Sequence, residues 1–252
     1  MMVISIIIPA YNKHEMTQEC LDSVIRKTQD YEIVLVDNGS EPPLLPIVDG
    51  KYVVNRVRNE ENLGYPVSVN QGIRASKGEV IILLNNDVIV TQDWADNLVY
   101  ALAYYDIVGP MTNYCAGMQK VTLPCYTDEK ELDEQSVKWS DAHKGETKDV
   151  NWVIGFCMAF RRSLWDEIGP FDESLWPCSG EEIIFCLDAR KKGYKVGIAR
   201  DCYVHHFGSQ TFNIMNVDYL DVCKKVDSNI ASKHGDNFWM NQETKEMGDD
   251  KN

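Results

Sequence analysis

The sequence predicts an α/β fold, a Rossmann-like, mostly parallel central sheet flanked by helices in a single domain. Three observations predict it. Unbroken apolar runs at residues 3–8, 33–36 and 80–84 lack the alternation of a half-solvated strand, so they read as strands covered on both faces. Between the first two lies a stretch of helical period, Met16, Cys20, Leu21, Val24 and Ile25, long enough for a crossover between parallel strands. Two of the runs end abruptly in polar side chains, Asp37 and Asn85-Asn86-Asp87. In open α/β sheets ligands bind at the carboxyl ends of the strands. The same Asn-Asn-Asp run also reads as a plain turn.

The elements follow in order. Residues 3–8 form a first strand, stopped by Pro9, with Ala10-Tyr11-Asn12-Lys13 as the loop beyond it. Residues 32–36 form a second strand and residues 52–57 a third. A helix opens at Tyr65-Pro66, with proline in its first turn, and closes at Lys77-Gly78 before the organising strand at 79–88. Thr91 is the expected cap of the next helix, carrying Trp94, Leu98, Leu102 and Tyr105. A short strand is expected at 106–109. Residues 126–149 are polar and crowded with Asp128, Glu129, Glu131, Asp133 and Glu134, which suits a solvated helix or a flap. Residues 150–160 read as one strand with Gly155 in its middle, a position where something approaches the backbone closely. A short helix at 161–168, a turn at 169–173, a helix opening at Ser179-Gly180-Glu181-Glu182, a last core strand at 194–199 and a C-terminal helix near 217–230 complete the chain. The expected division is a nucleotide-sugar half over 1–110, an acceptor and catalytic half over 111–215, and a C-terminal helix and tail over 216–252.

Composition narrows the partners. A formal charge of -14 over 252 residues argues against nucleic acid and anionic membranes, which are held by clustered Lys and Arg. An anionic substrate then needs local help, such as a metal ion. The eight cysteines include no C-x-x-C pair, which suits reduced thiols in a cytoplasmic compartment. The first apolar run is too short to span a membrane. No G-x-G-x-x-G follows the first strand, which removes a dinucleotide oxidoreductase.

Six landmarks occur together: Ser5-Ile6-Ile7-Ile8-Pro9-Ala10-Tyr11-Asn12; Val34-Leu35-Val36-Asp37-Asn38-Gly39-Ser40; Asn62-Leu63-Gly64 with Asn70-Gln71-Gly72; Leu83-Leu84-Asn85-Asn86-Asp87; Gly169-Pro170-Phe171-Asp172-Glu173; and Gly180-Glu181-Glu182 leading to Gly193-Tyr194-Lys195-Val196. In this order and spacing they resemble the inverting family 2 glycosyltransferases of GT-A fold, over residues 3 to about 212. The resemblance implies transfer of a sugar from a nucleoside diphosphate donor, UDP or dTDP, to a hydroxyl of a glycan or other acceptor. It implies donor contacts from Pro9, Ala10, Tyr11, Asn12, Asp37, Asn38, Asn62, Gly64, Asn70, Asn85, Asn86 and Gly155. Within these, Asp37 resembles the acid that reads the base, although it also suits the Asn38-Gly39-Ser40 turn as a cap.

Asp87 resembles the last residue of the family's metal motif, so a divalent cation, Mn²⁺ or Mg²⁺, is expected there, with His205 or His206 as a further ligand. The sequence departs from that motif by carrying Asn85 and Asn86 in place of acids. Glu182 or Glu181 stands at the place of the catalytic base. Neighbours on a helix diverge by about 100°, so only one of them can face the acceptor. Ser179 and Glu182 also match a capping box, with Glu182 as the third helical residue. A catalytically inactive sugar-nucleotide or glycan-binding module on the same fold is the alternative, since a binding module needs no base.

Overall fold

A computed structural model of the chain describes residues 3–44, 54–175, 180–208 and 219–235. Strand β1 (Ile4–Ala10) lies between β2 (Tyr31–Asn38) and β4 (Val80–Leu84), and β3 (Val54–Asn59) pairs outside β2; all four run parallel. The crossovers are α1 (His14–Lys27) and α2 (Tyr65–Ala75). Every residue of β1 and β4 is buried, as an unalternated apolar run requires. Ile6 and Ile8 join one core layer with Leu21, Val24 and Leu35, while Ile7 faces the other with Val69 and Ile73.

The rest of the sheet is mixed. β8 (Cys157–Arg161) runs antiparallel to β4 and also pairs with β6 (Ile107–Met111), so a late strand is inserted into the middle of the sheet. β6 is parallel to β9 (Val196–His206), and β5 (Val88–Val90) and β7 (Thr147–Val150) pair antiparallel with β9, giving the order β3-β2-β1-β4-β8-β6-β9-β5 with β7 beside β9. The remaining helices are α3 (Trp94–Ala101), α4 (Glu129–Ala142), α5 (Arg162–Ile168), α6 (Glu181–Lys191) and α7 (Tyr219–His234).

Several expectations are corrected. Pro9 lies inside β1 rather than after it, at a level where β1 pairs with β2 alone, beyond the last pairing with β4 at Ile7. The expected strand over 150–160 is two strands joined by a loop at 151–156, because the Ile154 and Phe156 backbone groups bond elsewhere than a ladder. Thr91 does not cap α3; its hydroxyl donates to the Tyr203 carbonyl, and Asp93 is the cap residue. The last core strand continues through His205 and His206. Of the two readings of the acidic run, the largely solvated helix is the one observed, and it is packed on the domain. Asp128 caps α4 through the Glu131 amide, Lys27 pairs with Glu129 and Asp133 at 2.8 and 2.7 Å, and Trp139 donates to the Arg200 carbonyl at 2.6 Å. The expected strand start at 52–53 lies outside the described residues.

Asn70, expected at the donor, is fully buried and has another task. Its side chain donates to the Phe171 carbonyl at 2.8 Å and accepts from the Phe171 amide at 3.0 Å, fastening α2 to the turn at 169–173. That is why a buried amide is tolerated there: both its ends are satisfied. Asn70→Leu leaves two backbone groups unpaired and is expected to cost about 2–4 kcal/mol of stability, read from the urea midpoint.

The C-terminal helix closes over α6. Ile230 is fully buried with Leu175, Ile183, Ile184 and Leu187, and Lys233 pairs with Asp172. Hydrogen bonds from Lys233 and Ser174 lower the Asp172 carboxyl to about 2. A depressed carboxyl stabilises above its unfolded pKa and loses that contribution as pH falls through the folded value. Lys233→Met is therefore expected to lower the melting temperature at pH 7 and to leave it nearly unchanged near pH 2, by thermal scans at both.

Candidate active site

The carboxyl ends of β1, β2 and β3 meet at Ser40. Its hydroxyl accepts from the Asn12 amide at 2.8 Å, the Asn12 carboxamide accepts from the Glu41 amide at 3.0 Å, and Arg58 donates to the Ser40 carbonyl at 3.2 Å. Pro9 and Ala10 are buried beneath this loop and Tyr11 is half-buried beside it. Asp37 has no exposed surface. It accepts from the amides of Ser40 at 3.0 Å and Leu44 at 3.1 Å, and from Arg56 at 3.0 Å and Arg58 at 2.6 Å. Burial raises this carboxyl, and the bonds from Ser40, Arg58 and Leu44 together outweigh burial and hold it below its ordinary value.

Asn38 is the knot of the next loop. It donates to Asn62 at 2.7 Å and to the Gly64 carbonyl, and accepts from Asn59 at 2.9 Å and the Leu63 amide at 3.1 Å. Asn62 also accepts from the Gly64 amide at 3.0 Å. Gly39, at φ +82°, lets this loop close: a Cβ there would lie 2.4 Å from the Glu61 carbonyl carbon. These amides therefore shape the loop, and the side chains of Asn38 and Asn62 spend their hydrogen bonds on it. Asn86 is likewise buried, donating to Thr17 at 2.8 Å, while half-buried Asn85 is held by its backbone, donating to the Phe156 carbonyl at 2.9 Å.

Beyond them, Asp87 and His206 face each other. Asp87 Oδ1 and His206 Nε2 are 3.3 Å apart, both buried, and neither has a hydrogen-bond partner among the described residues. His206 Nδ1 contacts the Tyr114 carbonyl at 2.8 Å; a carbonyl only accepts, so Nδ1 carries a proton and Nε2 is the ring nitrogen turned toward the carboxylate. A carboxylate oxygen and a ring nitrogen held face to face in a buried position fit a cation shared by both, a proton on Nε2 or a metal ion. A histidine whose other nitrogen donates to a backbone carbonyl is the usual form of a metal ligand. The fit is to two protein ligands: among the described residues no group of three or more His, Cys, Asp or Glu could hold a metal. A diphosphate would supply the remaining oxygens.

His205 does not share this site. Side chains alternate along a strand, and His205 contacts the Tyr126 hydroxyl at 2.6 Å with its Nδ1. Burial and the neighbouring His206 lower its pKa, so it stays neutral.

The candidate base lies across the loop at 151–156. Helix α6 begins at Glu181 with Gly180, in the left-handed region, as its cap, so Glu182 is the second helical residue and not the third that a capping box needs. Ser179 lies outside the described residues. Glu181 is buried, 4% exposed, and Glu182 is half-buried against Gly155. A Cβ on Gly155 would lie 3.3 Å from both Cβ and Cγ of Glu182. The close approach expected at this glycine is thus made by Glu182. Burial raises the Glu182 carboxyl, against lowering by its own amide and those of Gly155 and Ile183.

The loop is pinned by groups that the sequence did not single out. Buried Gln119 accepts from the Ile154 amide at 2.7 Å, Tyr65 donates to the Gly155 carbonyl at 3.1 Å, and the Phe156 ring stacks on His206 with centroids 5.0 Å apart. One short loop therefore positions the Asp87–His206 pair on one side and Glu182 on the other. Gly155→Ala pushes on Glu182 by a few tenths of an ångström and is expected to lower kcat about tenfold with little change in melting temperature, by steady-state assay and thermal scan.

A sheet with the parallel half β3-β2-β1-β4 and the late strand β8 inserted antiparallel beside β4 has the architecture of the GT-A glycosyltransferases. GalNAc-T7, solved with UDP, GalNAc and Mn²⁺, superposes with a TM-score of 0.62 at 19% identity, covering 81% of this chain and 43% of that one. S. aureus TarS 1-349 with UDP-GlcNAc gives 0.60 at 18% identity over 92% and 68%, and the mannosyltransferase PcManGT of Pyrobaculum calidifontis with GDP-Man and Mn²⁺ gives 0.59 at 18% over 91% and 64%. In sequence the chain is 26% identical to glycosyltransferase AglE of Haloferax volcanii over 214 residues, 79% of this chain and 64% of that protein. It is 38% identical over 96 residues to the poly(ribitol-phosphate) beta-glucosyltransferase of Bacillus spizizenii, 34% of this chain and 15% of that protein. The family described as Glycosyl transferase family 2 matches residues 5–169, and the chain belongs to that family. The chain spans less than two thirds of the length of these curated relatives. The residues matched by the family end before α6 and β9, so that match does not reach Glu182 or His206.

Proposed function

We propose that the protein transfers a sugar from a nucleoside diphosphate sugar, UDP or dTDP in type, to a hydroxyl of a glycan or similar acceptor, with inversion at the anomeric carbon. The observation that carries the reading is the unpartnered Asp87–His206 pair fixed by the same loop that carries Gly155 against Glu182. A divalent cation, Mn²⁺ or Mg²⁺, held by Asp87 and His206 would neutralise charge on the departing diphosphate, which the protein's net charge of -14 does not supply. The Mn²⁺ of GalNAc-T7 and PcManGT supports that assignment by analogy of fold. Glu182 takes the acceptor proton as its oxygen attacks, and its raised pKa suits it to that task. Stacking by Phe156 and the Tyr114 carbonyl hold the His206 ring in its tautomer and plane.

The partners of this reading are a nucleotide sugar and a hydroxyl-bearing acceptor. No helix among the described residues is long and apolar enough to cross a membrane. The six described cysteines that are free thiols support a reducing, cytoplasmic compartment. A panel of nucleotide sugars assayed with Mn²⁺ for release of nucleoside diphosphate tests the function. Release with one uracil or thymine donor, enhanced by an acceptor, is expected; binding of a nucleotide sugar with no release under any acceptor would favour a binding module.

A further inference from the structure

Strand β6 ends at Met111, opposite Tyr203 of β9, so its ladder stops short of His206. At His206 a side chain takes over that edge of β9. The Asn113 carboxamide accepts from the His206 amide at 2.8 Å and donates to the His206 carbonyl at 3.0 Å, the double exchange that a directly paired strand residue would make. The opposite edge of β9 is joined to the segment carrying Asp87: the Phe207 amide donates to the Asp87 carbonyl at 3.0 Å, and Val88 pairs with His206. Tyr114, the next residue after Asn113, completes the hold. Its carbonyl takes His206 Nδ1 at 2.8 Å, and its ring lies edge-on to the imidazole with centroids 5.9 Å apart. Gly208 makes room for that ring, since a Cβ there would lie 2.1 Å from it.

We infer that Asn113 is a positioning residue for His206: by bonding the main chain of that residue on the edge away from Asp87, it sets where Nε2 stands relative to Asp87 Oδ1. The inference rests on the reading of Asp87 and His206 as ligands of a divalent cation. A histidine has two side-chain torsions, and the Tyr114 carbonyl and the Phe156 ring constrain both, so the place of Nε2 follows the backbone that carries it. A cation shared by two protein ligands is sensitive to their separation, because among the described residues no group of three or more His, Cys, Asp or Glu could hold it instead. Asn113→Ala leaves the amide and carbonyl of a buried residue without these partners and frees the end of β9 to shift.

The Mn²⁺ concentration that half-saturates UDP binding, read by calorimetry on the wild type, Asn113→Ala, His206→Ala and the double variant, tests the inference. Asn113→Ala is expected to raise that concentration about tenfold or more, while UDP affinity in EDTA stays within a few-fold of the wild type. In the His206→Ala background the same change is expected to add nothing, since the ligand it positions is gone. An unchanged Mn²⁺ midpoint in Asn113→Ala, or an equal rise with and without His206, overturns the inference and leaves Asn113 a residue of stability alone. Should Asn113→Ala fail to fold, Asn113→Ser, whose hydroxyl can keep one of the two bonds, is read in the same way. A wild type whose UDP binding is indifferent to Mn²⁺, or a His206→Ala that needs no more Mn²⁺ than the wild type, overturns the metal reading, and this inference with it.

Discussion

Glu182→Gln is expected to lower kcat by roughly 10²- to 10⁴-fold while UDP affinity in Mn²⁺ stays within a few-fold of the wild type. Glutamine keeps the shape that packs on Gly155 and keeps an oxygen for the Gly155 amide, but it cannot accept the acceptor's proton. The pH profile follows from the direction of the shift. A carboxyl raised by burial is protonated, and useless as a base, until pH exceeds its raised value. Turnover of the wild type should therefore fall on the acid side at a pH above the ordinary carboxyl range. The residual activity of Glu182→Gln should lack that limb. If Glu182→Gln turns over normally and Glu181→Gln does not, the base is Glu181, despite its deeper burial.

Asp87→Asn should move activity and stability in opposite directions. With Nε2 unprotonated in the metal-free protein, as a cation site requires, Asp87 Oδ1 and Nε2 are two acceptors 3.3 Å apart. An asparagine amide supplies a donor, so the variant is expected to be more stable than the wild type in EDTA, by about 1 kcal/mol for one hydrogen bond. The same change removes the charged ligand of the proposed metal and is expected to weaken Mn²⁺-dependent UDP binding by about 10- to 100-fold and to lower turnover at least as much. Thermal scans with and without Mn²⁺, alongside the assay, read both. Destabilisation in EDTA would mean that His206 is protonated and already paired with Asp87, and the argument for a cation between them would fail.

The first half of the sheet was legible because its strands are apolar throughout and its helices keep one stripe, so period and length sufficed for β1, β2 and β4. Strand β9 was not legible beyond Ala199, since Arg200 and Asp201 interrupt the apolar run. Their polarity is met from the segment after α4, the Arg200 guanidinium by Glu146 at 2.9 Å and Asp201 by the Gly145 amide at 2.7 Å. Period-two alternation implied that only one of His205 and His206 could face Asp87, but not which, because that depends on the β5–β9 register. The loop at 151–156 looked like strand because Val153, Ile154 and Phe156 are apolar, and nothing local says that Gln119 and Tyr65 bind its backbone. Arg56 and Arg58 carried a signal that was not used: two arginines two apart on a strand share one face, and that strand pairs with the one ending in Asp37.

Calorimetric titration of UDP into the wild-type protein, once in Mn²⁺ and once in EDTA, bears most directly on the Asp87–His206 centre. The proposed function predicts measurable binding in Mn²⁺ and at least about a tenfold loss in EDTA, since in that reading the diphosphate is held through a metal on Asp87 and His206. Equal affinity in the two buffers would contradict it.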